Sequence, residues 1–120
     1  MVPESKQEAA EFCVVLVTVP DSDGGRALAR TLVSERLVAC GNVIPGLTSV
    51  YRWDGEVQED PEALLVLKTR GRALAALEER VMEIHPYDTP EFLVLPVTHG
   101  SHGYLSWIAD EVVSSGQSHE

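Results

Sequence analysis

Apolar positions along the chain follow the two periods expected of strands and helices. Runs of β-branched and aliphatic residues predict strands over 12–19, 38–53, 56–69 and 92–97. Apolar residues three and four apart predict helices over 21–36 and 71–84, and a short closing helix marked by Leu105, Ile108, Ala109 and Val112. The order βαββαβ plus α predicts an α+β protein: a ferredoxin-like (split βαβ) sandwich with an antiparallel sheet and a C-terminal helix.

Glycine and proline pairs mark where the predicted strands turn or bend. Asp54-Gly55 lies directly between two strand-like segments and predicts a two-residue hairpin. Pro45-Gly46 predicts a bend or bulge inside the second strand. Pro61 predicts an irregular or edge position in the third strand, because proline cannot donate to a strand ladder. We therefore expect the two middle strands to form one long, interrupted hairpin.

A single domain is predicted to occupy residues 12–113 of the 120-residue chain. Residues 1–11 and 114–120 show no apolar periodicity and are expected to be flexible tails. The segment between them contains no linker, internal repeat or low-complexity stretch. A chain of this length can bury one hydrophobic core without a disulfide or a structural metal.

Three predicted strands contain consecutive apolar residues instead of an alternation, at 12–17, 63–67 and 92–95. Strands of this kind are usually covered on both faces, whereas two helices on one side of a sheet cover one face. We therefore expect a homo-oligomer in which sheet faces pack together and the hairpin at Asp54-Gly55 reaches a neighbouring copy. The pattern leaves one alternative, a monomer whose last helix crosses the open face of the sheet.

The charge of the chain argues against nucleic acid as a partner. It has 19 acidic and 9 basic residues and a net charge of −10 at pH 7, whereas phosphate-backbone binding needs a basic patch. No segment approaches the ~20 apolar residues that cross a bilayer, and the first residues do not resemble a signal peptide. Cys13 and Cys40 lie in apolar segments and are expected to be reduced thiols. We therefore expect a cytoplasmic protein with no membrane partner.

Histidines supply the candidate metal ligands. His99 and His102, in the segment THGSHG, have a spacing compatible with two ligands on a loop, and a solvated loop without metal is the simpler interpretation. His85 opens the segment HPYDTPE, in which two prolines hold His85, Tyr87 and Glu91 in a stiff connector between helix and strand. Such a connector fits either a binding site or a rigid turn whose tyrosine packs on the helix.

No familiar catalytic or nucleotide-binding motif is present. The sequence lacks the patterns GxGxxG, GxxxxGK[ST], HExxH, CxxC and GxSxG. Acid–base chemistry by Glu62 or His85, with Lys68 as the electrophile, would require these groups to share a site. Glu62 and Lys68 lie roughly 20 Å apart along a regular strand, so a bend at Pro61 or a second subunit would have to bring them together. We expect no enzymatic activity.

Ordered motifs over most of the chain resemble the CutA family of divalent-cation tolerance proteins. In the first half, these motifs are VTVPD (17–21), LVACGNVIPG (37–46) and SVYRWDG (49–55). They continue with Glu62 and LKT (67–69), and then with HPYDTPE (85–91), PVTHG (96–100) and YLSW (104–107). The resemblance extends from about Val14 to Val112, which is nearly the whole predicted domain.

The resemblance implies a ferredoxin-like homotrimer, similar to PII-type signalling proteins, with a cleft between its subunits. It also implies a role in the tolerance of copper and other divalent metal ions. The positions of this chain that correspond to the family's cleft are Trp53, Glu62, Lys68, His85, Tyr87, Tyr104 and Trp107.

The copper ligands that the resemblance implies are only partly present. Some bacterial members bind copper through a first-strand cysteine and two adjacent histidines before Pro-Tyr, whereas this chain has Val17 and Ile84 at two of those positions. We therefore expect at most a weak site for copper or another divalent cation, formed by His85 with His99 or His102. The alternative function is a PII-like sensor of a small metabolite bound in the cleft.

Overall fold

Four strands and three α-helices lie within residues 10–113, the part of the chain that the computed structural model describes. The strands are β1 (Phe12–Val19), β2 (Cys40–Trp53), β3 (Glu56–Arg70) and β4 (Leu93–Pro96). The helices are α1 (Ser22–Ser34), α2 (Leu74–Ile84) and α3 (His102–Glu111). No helix of this part is long and apolar enough to cross a membrane. Most of the two predicted tails, 1–9 and 114–120, falls outside the described residues.

The strands form one antiparallel sheet in the order β2-β3-β1-β4. Each βαβ unit is therefore split by a strand of the other unit, since β3 lies between β1 and β2 and β1 lies between β3 and β4. Val15 of β1 is the register partner of both Leu67 of β3 and Val94 of β4. The predicted α+β architecture is confirmed, including the antiparallel sheet and the C-terminal helix.

Two helix starts differ from the prediction. The segment predicted as one helix over 71–84 begins with a 3-10 turn at Gly71–Ala73, and α2 starts only at Leu74. The closing helix begins at His102, about one turn before the apolar residues that predicted it, because its first turn is exposed and carries no apolar pattern. The start of α1 follows the prediction, since the Asp21 side chain accepts a 2.7 Å hydrogen bond from the backbone N–H of Gly24.

The core lies between one face of the sheet and the helices α1 and α2. Alternate strand residues are buried there, namely Val15, Val17, Val19, Ala63, Leu65 and Leu67. The helices contribute Leu28 and Leu32 from α1, and Leu77 and Val81 from α2. Removing these side chains from water is the main favourable contribution to folding.

The other face of the sheet, called the open face below, is only partly covered. Its side chains are the alternate residues that do not face the helices; Val14, Leu16, Leu64 and Val66 are half-buried, and Leu93 is 56% exposed. Helix α3 covers one end of this face, where Ile108 and Val112 pack with Phe12. Within residues 10–113, α3 does not cross the open face, and the predicted oligomer stays a prediction.

The hairpin formed by β2 and β3 extends beyond the rest of the sheet. Asp54 and Gly55 both have positive φ, 55° and 80°, as a type I′ turn requires, so the predicted hairpin is confirmed. The register shifts between Ile44 and Leu47, which confirms the irregularity predicted at Pro45-Gly46. Beyond this point, 47–53 and 56–62 pair only with each other in the described part of the chain. Pro61 lies in this outer half of the hairpin, in agreement with its predicted edge position.

Candidate functional site

His85 attaches the connector between α2 and β4 to the sheet. The residue is 7% exposed, and its Nε2 lies 2.8 Å from the carbonyl oxygen of Thr18 in β1. Its Nδ1 accepts a 3.0 Å hydrogen bond from the backbone N–H of Tyr87. This pattern requires a neutral imidazole with the proton on Nε2, because a histidine that carries a proton on Nδ1 cannot accept there. Both ring nitrogens therefore have protein partners.

Tyr87 joins the same connector to β3. Its hydroxyl donates a 2.6 Å hydrogen bond to Oε2 of Glu62, and its ring lies 4.7 Å from the ring of His85. Partial burial raises the pKa of Tyr87, and the hydrogen bond to the Glu62 carboxylate raises it further. Glu62 and Tyr87, which the sequence predicts to share a cleft, are thus bonded directly, with His85 beside them.

Two more carboxylates lie near Glu62 and form with it what we call the acidic end of the open face (Asp60, Glu62 and Glu91). Tyr51 donates a hydrogen bond to Asp60, and this bond raises the pKa of the tyrosine. Burial raises the pKa of Glu91, and the charge of Glu62 adds to the effect. Negative charge is therefore concentrated here, and a cationic group would be favoured at this end.

Lys68 lies at the opposite end of the open face, on the same strand as Glu62. Its ammonium donates a hydrogen bond to the side-chain oxygen of Asn42, to which the Cys40 thiol also donates at 3.8 Å. Lys68 is six positions after Glu62 along β3, a distance of about 20 Å. One chain therefore does not bring these two predicted cleft residues into the same site.

The predicted aromatic cleft residues are exposed on separate elements. Trp53 ends β2 beside the hairpin turn and is 63% exposed. Leu47 of β2 is the register partner of Glu62, and Trp53 lies about 20 Å further along β2. Tyr104 and Trp107 form an exposed pair on α3 with ring centroids 5.5 Å apart. The described residues of one chain thus contain separate parts of the predicted cleft, and the complete cleft stays a prediction.

The candidate metal ligands do not form a metal centre within one chain. Among residues 10–113, no group of three or more His, Cys, Asp or Glu side chains is placed to hold a metal ion. His99 and His102 are exposed, in the loop before α3 and in its first turn. His85 could offer a lone pair only by releasing the N–H of Tyr87. Resident metal therefore does not fit the residues of a single described chain, and a site with three protein ligands would need a second chain.

Four residues at or near the predicted site residues were not assigned from the sequence. Thr18 and Asn42 bond to His85 and Lys68, and Asp60 and Tyr51 add to the raised pKa of Tyr87. The register of the hairpin predicts the proximity of two of them, Tyr51 and Asp60. A turn at Asp54-Gly55 makes Ser49 the partner of Asp60, so Tyr51 lies diagonally across from Asp60 on the same face. Thr18 contributes a backbone carbonyl, which no side-chain pattern marks.

Comparison with known proteins identifies the family of this chain. Residues 13–111 match the family model described as CutA1 divalent ion tolerance protein. The chain is 52% identical over 97 residues to the divalent-cation tolerance protein CutA of Thermus thermophilus, covering 81% of this chain and 94% of that protein. It is 44% identical over 105 residues to the protein of the same name from Escherichia coli, covering 88% of this chain and 94% of the relative.

Solved structures of similar proteins agree with this match. The divalent cation tolerance protein (Cut A1) from Thermus thermophilus has a TM-score of 0.83 and 49% identity, covering 85% of this chain and 99% of that one. CutA1 from Oryza sativa has a TM-score of 0.86 and 44% identity, covering 91% and 100%. The resemblance seen in the sequence motifs is confirmed. The chain belongs to the CutA1 divalent ion tolerance protein family.

Proposed function

We propose that this protein acts in the tolerance of divalent cations, as a homotrimer that binds a metal ion or a small ligand and catalyses no reaction. Family membership over residues 13–111 is the observation that carries the proposal, because relatives at 52% and 44% identity are named divalent-cation tolerance proteins. Both cysteines are free, which supports a cytoplasmic setting as part of the same proposal.

The open face of the sheet supports the trimer. Its aliphatic side chains are half-buried or exposed in one chain, and leaving a few hundred Å² of such surface in water forgoes several kcal/mol at ~25 cal/mol per Å². The outer half of the hairpin has only two strands in the described residues, an arrangement that is marginal in water without further cover. Other copies of the chain would supply that cover.

The metal part of the proposal is weak binding of copper or another divalent cation. His85, His99 and His102 are the proposed ligands, with neutral imidazole nitrogens that suit copper and zinc. Within one chain they do not form a closed ligand set. Binding of a metal ion would therefore require ligands from a second copy of the chain, or water molecules in the remaining coordination positions.

The test is titration of the trimer with Cu(II) by calorimetry, using the wild type, His85→Ala and the double variant His99→Ala/His102→Ala. We expect binding by the wild type and a loss of at least tenfold in affinity in one of the two variants. A Kd of about 1 mM corresponds to a binding free energy of only about −4 kcal/mol. Absence of binding at about 1 mM Cu(II) would therefore contradict the metal part of the proposal. Copper sensitivity of a bacterial strain that lacks its own CutA, with and without this protein, tests the cellular role.

The exposed aromatic pair of α3 favours one alternative, a PII-like sensor of a small metabolite. Tyr104 and Trp107 present adjacent rings, and Trp53 presents a third exposed ring in each copy. In a trimer, such rings could stack on a ligand whose anionic group pairs with Lys68. A metabolite screen by thermal shift separates this function from metal binding, since a ligand at 100 times its Kd stabilises the folded state by ~2.7 kcal/mol.

A further inference from the structure

A thiol and a lysine are neighbours across β2 and β3. Cys40 and Lys68 are register partners, so their side chains lie on the same face of the sheet, and both are partly exposed. Each donates a hydrogen bond to the same atom, Oδ1 of Asn42, and the thiol does so at 3.8 Å. Because they share one acceptor, the sulfur of Cys40 and the nitrogen of Lys68 are at most about 7 Å apart.

Neither group is withdrawn from reaction by the surrounding chain. The cations of the ion pairs among residues 10–113 are all arginines, so no carboxylate has to be displaced before the amine of Lys68 can react. The acceptor Asn42 is an exposed, neutral amide. The other thiol of the chain, Cys13, is 2% exposed and faces the core. Cys40 is therefore the accessible thiol, and an amine lies beside it.

The two side chains differ in the chemistry that each does best. At neutral pH cysteine is the better nucleophile of the two, because an ordinary lysine is almost entirely protonated there. An amide, in contrast, is more stable than a thioester. Reacting groups that are held side by side behave as if they were at high concentration. A neighbouring thiol and amine can therefore take up an acyl group on sulfur and pass it to nitrogen.

The surroundings of the pair suit a donor with an apolar acyl group and a negative charge. Val14 is the register partner of Lys68 on β1, and Val66 is the register partner of Asn42, so both aliphatic side chains lie on the same face beside the pair. They offer apolar surface to a short hydrocarbon chain. The carboxylate of Glu62 is about 20 Å away along β3, and the charge of Lys68 attracts an anionic donor.

We propose that Cys40 and Lys68 form an acylation site, which accepts a short acyl group from a thioester and retains it on Lys68. The sulfur of Cys40 attacks the thioester carbonyl, a new carbon–sulfur bond forms, and the donor leaves as a free thiol. The neutral amine of Lys68 then attacks the same carbonyl. This second step forms an amide, breaks the bond to sulfur and restores the thiol of Cys40. The proton that the ammonium loses goes to water, and nothing is oxidised or reduced.

The product differs from the unmodified chain in charge. Acylation removes the positive charge of Lys68, so a ligand whose anionic group pairs with this lysine would bind the modified chain more weakly. The acyl group stays on the chain, and the reaction therefore happens once per chain and is not catalytic turnover. Both reacting groups belong to one chain, so this inference does not depend on the homotrimer or on metal binding.

Incubation of the purified protein with acetyl-coenzyme A at pH 8, with no acetyltransferase present, tests the site. Mass spectrometry of proteolytic peptides measures the rate for the wild type, Cys40→Ala and Lys68→Arg. The wild type should gain an acetyl amide on Lys68, and Cys40→Ala should gain it about tenfold or more slowly. Lys68→Arg should instead accumulate an acetyl thioester on Cys40. Hydroxylamine removes a thioester and leaves an amide intact, which distinguishes the two products.

Cys13→Ala is the matched control, because it removes the buried thiol and should leave the rate at Lys68 unchanged. Circular dichroism checks that each variant is folded, and Cys40→Ser replaces Cys40→Ala if the latter is unfolded. Equal rates at Lys68 in the wild type and in the Cys40 variant would show that the amine reacts directly, and would overturn the transfer from sulfur. Absence of acetyl groups from both residues of the wild type would overturn the site itself.

Discussion

The imidazole of His85 joins two distant parts of the chain, with Nε2 2.8 Å from the carbonyl oxygen of Thr18 and Nδ1 bonded to the N–H of Tyr87. The family resemblance marks this histidine as a metal ligand, but in one chain it holds the connector between α2 and β4 against β1. A structural role and a metal-binding role predict different results for the same variants.

The first prediction concerns the stability of His85→Ala in metal-free buffer. Loss of two nearly buried hydrogen bonds should lower the free energy of unfolding by about 2 kcal/mol. Urea denaturation in the presence of a chelator measures the change. His99→Ala is the control, since its exposed side chain should change stability by less than about 0.5 kcal/mol. Equal stability of the two variants would contradict the anchoring role of His85.

The second prediction concerns Tyr87→Phe at alkaline pH. Because the pKa of Tyr87 is raised in the folded state, the folded protein keeps a proton that the unfolded chain releases above its ordinary pKa of 10.0. Stability should therefore fall as the pH rises through 10, and less steeply in Tyr87→Phe. At neutral pH, the variant should lose about 1 kcal/mol with the hydrogen bond to Glu62. Urea denaturation at pH 8 and 10.5 measures both effects, and an equally steep loss of stability in Tyr87→Phe would contradict the prediction.

The third prediction compares two glycines. A Cβ at Gly41 would lie 3.0 Å from the Cβ of Ala29 and 3.1 Å from Leu67, so Gly41→Ala should cost about 1–3 kcal/mol by overpacking α1 against the sheet. A Cβ at Gly103 would meet nothing within 4 Å. Gly103→Ala should therefore gain about 0.5 kcal/mol from helix propensity. Thermal unfolding measures the change in stability of both variants. An unchanged stability of Gly41→Ala would contradict the close contact of α1 with β2.

The fourth prediction concerns the buried thiol. Cys13 is 2% exposed, and burial raises its pKa, so little thiolate is present or accessible in the folded state. In Cys40→Ser, Cys13 is the only thiol of the chain, and it should react with a thiol reagent at pH 8 only as fast as the protein unfolds. Rapid reaction in native buffer would show that β1 opens locally; reaction in denaturant serves as the control.

Local sequence determines much of this fold. Asp54-Gly55 encodes its hairpin because a type I′ turn needs positive φ at both positions, and Asp21 encodes the start of α1 through its side-chain cap. The start of α3 at His102 was not evident, since its first turn has no apolar face. Boundaries of this kind depend on tertiary contacts such as Ile108 with Phe12.

The candidate site was less predictable than the fold. The hydrogen bond between Glu62 and Tyr87 joins residues 25 positions apart and links the connector after α2 to β3. The family resemblance assigned both residues to a cleft. It did not show which of the cleft residues are in contact within one chain. Lys68 and Trp53 lie at other places on the same sheet because strand geometry fixes their separations.

The two-stranded outer half of the hairpin has a consequence for the exchange of its backbone amide hydrogens. Its ladder has no third strand in the described residues of one chain, so it should form with full stability only when chains meet. The rate at which amide hydrogens at Tyr51 and Gln58 exchange with deuterium should therefore fall as protein concentration rises, because these two residues form a hydrogen-bonded pair of the hairpin ladder. Amides in the centre of β1 should instead exchange slowly as soon as a single chain has collapsed.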